Sequence, residues 1–211
     1  MSGSPFFRKP FRYAFYNAAL VLIGVNVLAF LATSANRNLV GLLSMNPELV
    51  IDYGYWWQVF TYQFVHGGLQ HLVGNMIGIL FFGVAVERRI GSREFLLFYL
   101  LSGTLSGLLS LAAYVATGMW GVFLMGASGA VFSVLLAYAT LYPTSTIYLW
   151  LVVPVPAPLL VLGYAGIETY LLVTGTRSGV AHATHLFGFA VAWVYFVVRF
   201  GVNPSKAWFR R

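Results

Sequence analysis

Long apolar segments without charge, separated by short polar segments, make up most of the chain. The longest of them, residues 95–167, contains no charged side chain. At about 20 residues for each crossing, it holds two or three membrane helices. Its apolar positions do not alternate with polar ones, so the pattern favours helices over the strands of a membrane β-barrel. Six helices are predicted, at about residues 14–34, 69–86, 94–116, 127–142, 158–174 and 180–200.

The segment between the first two predicted helices, about residues 37–66, is too polar and too rich in turn residues to cross a membrane. Asn46 and Gly54 interrupt it, yet Trp56 and Trp57 lie close to them. Tryptophan favours the membrane–water interface. We therefore predict a long loop that lies in or on the outer leaflet. Ordinary packing of these aromatic residues in a loop accounts for the composition equally well.

Glycine and proline predict the other connections. Residues 118–126 form a turn-rich approach to helix 4, and Pro154 and Pro156 exclude a long helix in residues 144–157. In helix 3, Gly103 and Gly107 form a pair four residues apart. Such a pair indicates close packing between helices, and we assign no chemistry to it.

Composition places these helices in a membrane. Hydrophobic residues make up 60% of the chain and charged residues 8%, whereas a soluble domain carries about 25% charged residues. The chain has no cysteine, which excludes disulfides and thiolate zinc sites. The first apolar segment is too long for the core of a signal peptide and lacks a small-residue cleavage site. We therefore expect it to be retained as helix 1.

An even number of crossings puts both termini on one side of the membrane, and the basic residues indicate which side. The net charge of +7 comes from residues near the helix ends, so it does not indicate a nucleic-acid partner. Ten of the basic residues share the side of the termini: Arg8, Lys9, Arg12, Arg88, Arg89, Arg93, Arg199, Lys206, Arg210 and Arg211. Only Arg37 and Arg177 fall on the other side. The positive-inside rule then predicts that residues 1–12 and 201–211 are cytoplasmic basic tails around a membrane domain at 13–200.

A serine between glycines marks the start of predicted helix 4, in the sequence Gly126-Ala127-Ser128-Gly129. By itself this motif is a weak signal, because small residues also fill close contacts between membrane helices. The alternative is that Ser128 is a nucleophile. A nucleophilic serine needs a base that takes its proton and donors that stabilise a tetrahedral oxyanion.

Helices 2 and 6 supply these groups where they begin. His71 and Asn75 are four residues apart and hence on one face of helix 2, and His182 and His185 open helix 6. Polar side chains within membrane helices are costly and are functional hypotheses by default. In the predicted topology these groups share one depth with Ser128, toward the outer side of the membrane. Together they are the parts of acyl-transfer chemistry.

Small residues predict which histidine meets the serine. They recur every four positions in helix 4 and form a matching pair in helix 6, at Gly129, Ser133, Ala137, Gly188 and Ala192. Such stripes let two helices approach closely, which would bring Ser128 to His185. His182 is expected one turn nearer the outer loop, where it meets water and needs no partner helix.

Other interpretations of the polar residues are weaker. Four histidines could bind zinc, but the chain has no His-Glu-x-x-His helix. A small transporter would show inverted repeats, and we find no convincing repeat. Glu168 in helix 5 could be a third catalytic acid. A protonated or hydrogen-bonded structural role is favoured, since a lone carboxylate in lipid tends to be neutral.

Taken together, these motifs resemble the rhomboid family of intramembrane serine proteases. The similar elements are the Gly126–Gly129 motif, His71-x-x-x-Asn75 preceded by His66, and His185-x-x-Gly188, with Trp56-Trp57 and residues 87–92. Each element is weak alone, but their order and spacing together are specific. The resemblance covers about residues 50–195 and implies an all-α bundle of six transmembrane helices with a long interfacial loop between helices 1 and 2.

The resemblance also implies a mechanism. Ser128 would be the nucleophile and His185 the general base of a Ser–His dyad. The Ser128 backbone N–H, His71 and Asn75 would form the oxyanion site, and the supporting residues would be His66, Gly126, Gly129, His182 and Gly188. The expected partners are membrane lipids and transmembrane proteins that are cut near the outer face, with no cofactor and no metal. We expect a bacterial inner membrane.

Three residues depart from the family pattern. Trp57 is followed by Gln58 where arginine is frequent, so the loop is expected to be anchored differently. Ala192 stands where glycine is usual, and His182 is an extra imidazole. The alternative function is a catalytically inactive rhomboid-like protein that binds or escorts membrane proteins. The substrate, the cleavage site and the oligomeric state stay open.

Overall fold

Six long helices account for most of the secondary structure in the computed structural model, which describes residues 10–149, 152–175 and 179–209. The helices are α1 (Ala18–Ala35), α2 (Leu69–Ile90), α3 (Ser92–Thr117), α4 (Ser128–Leu141), α5 (Ala157–Val173) and α6 (Gly179–Tyr195). A single π-type turn, Ile79–Gly83, lies within α2, and another, Phe196–Phe200, continues α6. The prediction of six helices is confirmed.

The lengths of these helices match a membrane. In the described residues, α1, α2, α3 and the segment His182–Phe200 are long and apolar enough to cross one. The shorter α4 and α5 have 14 and 17 residues and are apolar too. Large apolar side chains cover the outside of the bundle, where Leu28, Phe81 and Tyr170 are each 67% exposed. Such a surface suits lipid, and the protein is a multi-pass membrane protein.

Helix α4 lies at the centre and packs against α2, α3, α5 and α6. Its closest approach is to α6, where a Cβ atom on Gly188 would lie 2.2 Å from the carbonyl oxygen of Gly129. The Ser133 hydroxyl donates to the carbonyl oxygen of Gly188 at 2.7 Å. The predicted contact between the two small-residue stripes is therefore confirmed, and it holds the starts of α4 and α6 side by side.

The connection from α1 to α2 is a folded loop. It contains the short helices Asn38–Leu43, Pro47–Ile51 and Gln58–Thr61, followed by a 3₁₀ turn at Tyr62–Phe64. Trp57 is 44% exposed and its indole N–H donates to the carbonyl oxygen of Leu42 at 2.9 Å. An exposed ring with a bonded N–H is the arrangement that tryptophan adopts at membrane interfaces.

Two elements differ from the sequence prediction. In the segment predicted to lack a long helix, β1 (Thr146–Leu149) and β2 (Val153–Pro156) pair antiparallel. The prolines exclude a helix, as predicted, but an edge strand tolerates them. In the segment predicted as a basic tail, Pro204–Trp208 forms a short helix that packs against α4. The tail residues Arg8, Lys9, Arg210 and Arg211, and Arg177, lie outside the described residues.

The end of the bundle away from Ser128 is closed by a buried carboxylate. Glu87 accepts hydrogen bonds from the backbone N–H groups of Ala18 and Ala19, at 2.6 and 2.9 Å, and from the Ser92 hydroxyl at 2.5 Å. These N–H groups belong to the first turn of α1, which has no intrahelical partners for them. Because its charge is satisfied in this way, Glu87 does not end α2, which continues to Ile90 beyond the predicted boundary.

Candidate active site

A sharp turn delivers Ser128 to the first position of α4. The backbone of Gly126 has φ +122°, a conformation that side-chain-bearing residues rarely adopt. A Cβ atom there would also lie 2.6 Å from the imidazole of His71. The Gly126 N–H donates to the carbonyl oxygen of Tyr62 at 3.0 Å. Glycine is therefore required at this position, and the Ser128 side chain that follows it is half-buried.

The hydroxyl of Ser128 contacts the imidazole of His185. The distance from Ser128 Oγ to His185 Nε2 is 2.8 Å. Phe132, one turn further along α4, stacks on the His185 ring with the ring centroids 4.1 Å apart and the planes 10° apart. If Nε2 accepts the serine proton, the neutral ring carries its own hydrogen on Nδ1. The arrangement has the geometry of a nucleophile bonded to a base.

A carboxylate from α5 lies behind this pair. Glu168 is 7% exposed, and its Oε1 lies 3.0 Å from His185 Nδ1. The Nδ1–H direction is not aligned with this oxygen, so the contact is electrostatic rather than a directed hydrogen bond. The other oxygen, Oε2, makes a short hydrogen bond with His182 Nδ1. One carboxylate therefore bridges two imidazoles.

The surroundings of His182 differ from the prediction. It was expected to meet water without a partner helix, but it is 9% exposed and bonded to Glu168 of α5. Burying an imidazole beside an apolar helix is costly unless it is hydrogen-bonded. The carboxylate of Glu168 removes that cost, which explains why His182 is inside the bundle. Glu168 likewise is hydrogen-bonded rather than alone in lipid.

His71 and Asn75 of α2 line a cleft whose wall includes Phe132, the ring that stacks on His185. This cleft has a volume of about 380 Å³, and Phe132 and Tyr164 form part of its wall. The His71 ring lies against Gly126. The amide of Asn75 donates to the carbonyl oxygen of His71 within α2 at 2.9 Å. Both side chains therefore reach the cleft, and the Asn75 amide is engaged within its own helix.

His66 supports the turn before Ser128. It is 4% exposed, with Nδ1 3.3 Å from the carbonyl oxygen of Phe64 and Nε2 3.5 Å from the backbone N of Ala127. Burial and the neighbouring His71 lower the pKa of His66 to about 4. His66 is therefore neutral at pH 7. Its ring links Phe64 at the end of the loop to Ala127 in the turn before Ser128.

Comparison with known proteins identifies the chain's family. The model of the Rhomboid domain matches residues 53–201. The chain belongs to the rhomboid family. It is similar to RHOMBOID-like protein 12, mitochondrial, of Arabidopsis thaliana, with 37% identity over 148 residues that cover 64% of this chain and 44% of that protein.

The chain is also similar to a protein named as a protease and to a second mitochondrial protein. Rhomboid protease GluP of Bacillus subtilis (strain 168) is 34% identical over 128 residues, which cover 60% of this chain and 24% of that protein. Presenilin-associated rhomboid-like protein, mitochondrial, of Homo sapiens is 31% identical over 125 residues, which cover 58% of this chain and 32% of that protein. The chain spans less than half the length of these curated relatives.

Gln58 anchors the loop of this rhomboid. It is fully buried, its amide N–H₂ donates to the carbonyl oxygen of Gly41 at 2.9 Å, and its Oε1 accepts from the backbone N–H of Asn46 at 3.1 Å. A glutamine satisfies a donor and an acceptor at once, which the arginine frequent in the family cannot do. The expectation of a different anchor at this position therefore has a structural explanation.

The structure brings together the residues predicted from sequence and adds Phe132, a stacking partner that sequence reasoning missed. Glu168 was considered as a third catalytic acid or a structural group, but its position between two imidazoles was not predicted. A signal existed for each. Phe132 is four residues after Ser128 and so on the same face of α4. Glu168 is the one charged residue between Glu94 and Arg177, so its partner had to come from another helix.

Proposed function

We propose that this rhomboid-family protein is an intramembrane serine endopeptidase that cleaves transmembrane segments of membrane proteins near the outer face. The observation that carries the proposal is the 2.8 Å contact between Ser128 Oγ and His185 Nε2. It lies inside a membrane bundle, next to a cleft with apolar walls. A serine and a base at hydrogen-bond distance are what acyl transfer requires.

The proposed reaction has two steps. Ser128 Oγ attacks the carbonyl carbon of the scissile bond while His185 Nε2 takes the serine proton. His185 then gives this proton to the leaving amine, and the substrate stays bound to Ser128 as an ester. A water molecule, activated by His185 in the same way, hydrolyses the ester and restores the serine.

The oxyanion of the tetrahedral intermediate would be stabilised from two sides. The backbone N–H of Ser128 belongs to the first turn of α4, where N–H groups lack intrahelical partners. His71 and Asn75 line the cleft from α2. In this proposal the Asn75 amide turns from the carbonyl oxygen of His71 toward the oxyanion when substrate is bound.

The proposed location is a bacterial inner membrane, with both termini in the cytoplasm. The orientation is supported by the distribution of basic residues along the sequence, ten on the side of the termini against two on the other. In this orientation the start of α4, and with it Ser128, is nearer the outer face. The proposed substrates therefore have a transmembrane segment whose outer end can enter the cleft beside Ser128.

The test is cleavage of a model transmembrane protein by the purified protein in liposomes, with Ser128→Ala beside wild type. Wild type should cleave it and react with a serine-directed fluorophosphonate, and Ser128→Ala should do neither. His185→Ala should lose as much cleavage as Ser128→Ala. Ser102→Ala is the matched control, since it removes another buried hydroxyl in the bundle, and it should remain active.

The same experiment distinguishes the proposed function from the alternative one. Equal cleavage by wild type and Ser128→Ala would contradict the assignment of the nucleophile. Absence of cleavage and of fluorophosphonate labelling in both would favour a catalytically inactive rhomboid-like protein that binds or escorts membrane proteins.

A further inference from the structure

We propose that Glu168 is a positioning residue for the general base. Its carboxylate holds the hydrogen of His185 on Nδ1, so that the free Nε2 faces Ser128, and His182 holds the carboxylate in place. The inference rests on the proposed function and extends it from a Ser–His pair to a charge-supported arrangement. The groups that carry it come from α4, α5 and α6.

The carboxylate of Glu168 is buried in the bundle. It is 7% exposed, in a helix whose other side chains carry no charge. An ionised carboxylate in such surroundings requires hydrogen-bond donors or nearby positive charge. In the described residues around Glu168, His182 Nδ1 is hydrogen-bonded to Oε2, and His185 Nδ1 faces Oε1 at 3.0 Å in an electrostatic contact.

The carboxylate also determines which ring nitrogens carry hydrogen. An ionised carboxylate accepts hydrogen bonds and donates none, so an imidazole nitrogen that faces it carries hydrogen. His185 Nδ1 faces Glu168 Oε1. The neutral ring therefore has its lone pair on Nε2, the atom that lies 2.8 Å from Ser128 Oγ. The opposite tautomer would put hydrogen on Nε2 and could not take the serine proton.

The two contacts of the carboxylate differ. His182 makes a short hydrogen bond with Oε2, whereas His185 lies at 3.0 Å from Oε1 without full alignment. His182 therefore fixes the carboxylate. In the reaction His185 becomes an imidazolium beside this carboxylate, whose negative charge stabilises it.

A metal centre made by the same three residues is the main structural alternative. Their ligand atoms all lie within 4.8 Å of one another. Around zinc, tetrahedral ligand atoms at ordinary bond lengths are roughly 3.3 Å apart. The contacts of Glu168 with both histidines are shorter and have the length of hydrogen bonds. A metal on His185 Nδ1 would also force hydrogen onto Nε2, which could then not take the proton of Ser128.

Glu168→Gln is the variant that tests the proposal. The amide has the same shape but one acceptor and one donor group, so it cannot receive hydrogen from both imidazoles. Replacing the acid beside a catalytic histidine by an amide costs up to about 10⁴ in turnover in serine proteases. We expect kcat for cleavage to fall about 10²–10⁴-fold with KM little changed, and Glu168→Asp to recover part of the loss.

Two controls separate positioning from mere packing. Glu94→Gln changes the carboxylate at the other end of the bundle, bonded to Arg199 and Tyr195, and should leave turnover of the folded protein unchanged. His182→Ala should lower turnover less than Glu168→Gln does and retain a substantial fraction of activity, because the carboxylate loses one partner but its charge remains beside His185. EDTA should have no effect on turnover, whereas a loss that zinc restores would support the metal centre and overturn the proposal.

A direct readout is the ¹⁵N NMR spectrum of histidine-labelled protein, which distinguishes the two tautomers of each ring. The chain has four histidines, so single substitutions assign every signal. In wild type His185 should carry hydrogen on Nδ1, and in Glu168→Gln this preference should weaken. An unchanged tautomer and unchanged kcat in Glu168→Gln, with Ser128→Ala inactive, would overturn the inference and leave the proposed function intact. If wild type did not cleave the substrate, or cleaved it no faster than Ser128→Ala, the proposed function itself would be overturned.

Discussion

Two buried carboxylates at opposite ends of the bundle have contrasting partners. At the end away from Ser128, Glu94 is paired with Arg199 at 2.7 Å and with the Tyr195 hydroxyl at 2.5 Å. At the Ser128 end, Glu168 is paired with the imidazoles of His182 and His185. Both carboxylates connect a neighbouring helix to α6, but the first is paired with an arginine and a tyrosine and the second with two imidazoles.

The contrast separates a structural pair from a reactive one. An arginine keeps its charge at every accessible pH and presents several fixed donors, so the Glu94 pair can be fully bonded and static. An imidazole can accept a proton during a reaction, provided that its contacts leave it the freedom to do so. In His185 the nitrogen that would accept it, Nε2, faces Ser128 Oγ at 2.8 Å, while Glu168 lies at the other nitrogen, Nδ1. The contacts of α6 with Glu94 are therefore structural, whereas its contacts with Glu168 belong to the candidate active site.

The largest expected effect is a loss of turnover on substitution of residues near Ser128. His71→Ala and Asn75→Ala should each lower kcat by about 10²–10³ while KM changes little, since loss of one oxyanion donor has this cost. Stability should be nearly unchanged. The measurement is steady-state cleavage in liposomes. Full turnover with weaker substrate binding in both variants would show that these side chains bind substrate and do not stabilise the oxyanion.

At the opposite end, the expected effect is on stability. Arg199→Gln leaves Glu94 buried with the Tyr195 hydroxyl but without a cation. Removing one partner of a buried ion pair destabilises by about 3 kcal/mol. Thermal unfolding in detergent should show the loss, and kcat per folded molecule should stay at the wild-type value. Loss of turnover with unchanged stability would break the comparison, because the pair would then take part in catalysis.

The smallest effect concerns His66, which lies at the Ser128 end but has a structural role. Its pKa of about 4 in the folded protein is below the ordinary value of 6.5. Between these pH values the unfolded chain binds more protons, so this histidine's contribution to stability is full above pH 6.5 and is lost as the pH falls toward 4. Unfolding temperatures at pH 7 and pH 5 should show a smaller difference in His66→Gln than in wild type. An equal difference in both would remove His66 as the cause.

Much of the candidate site is predictable from the sequence because the spacing of residues on a helix is fixed. Gly129 and Gly188 mark the surfaces at which α4 and α6 can approach, and a helix period then places Ser128 and His185 at the same end of that contact. The six helices follow from apolar length in the same way. The hairpin of β1 and β2 does not, because proline shows where a helix is excluded and not what replaces it.

The pattern of residues by itself determined a helical membrane bundle with a serine and a histidine in contact. Only the tertiary structure decided that Glu168 meets both His182 and His185. Apart from Glu168, helix α5 is apolar on all sides, so its sequence does not indicate which helices Glu168 will face. Packing against α4 and α6 sets the rotation of α5 about its axis. In this rotation Glu168 faces His182 and His185 and not lipid.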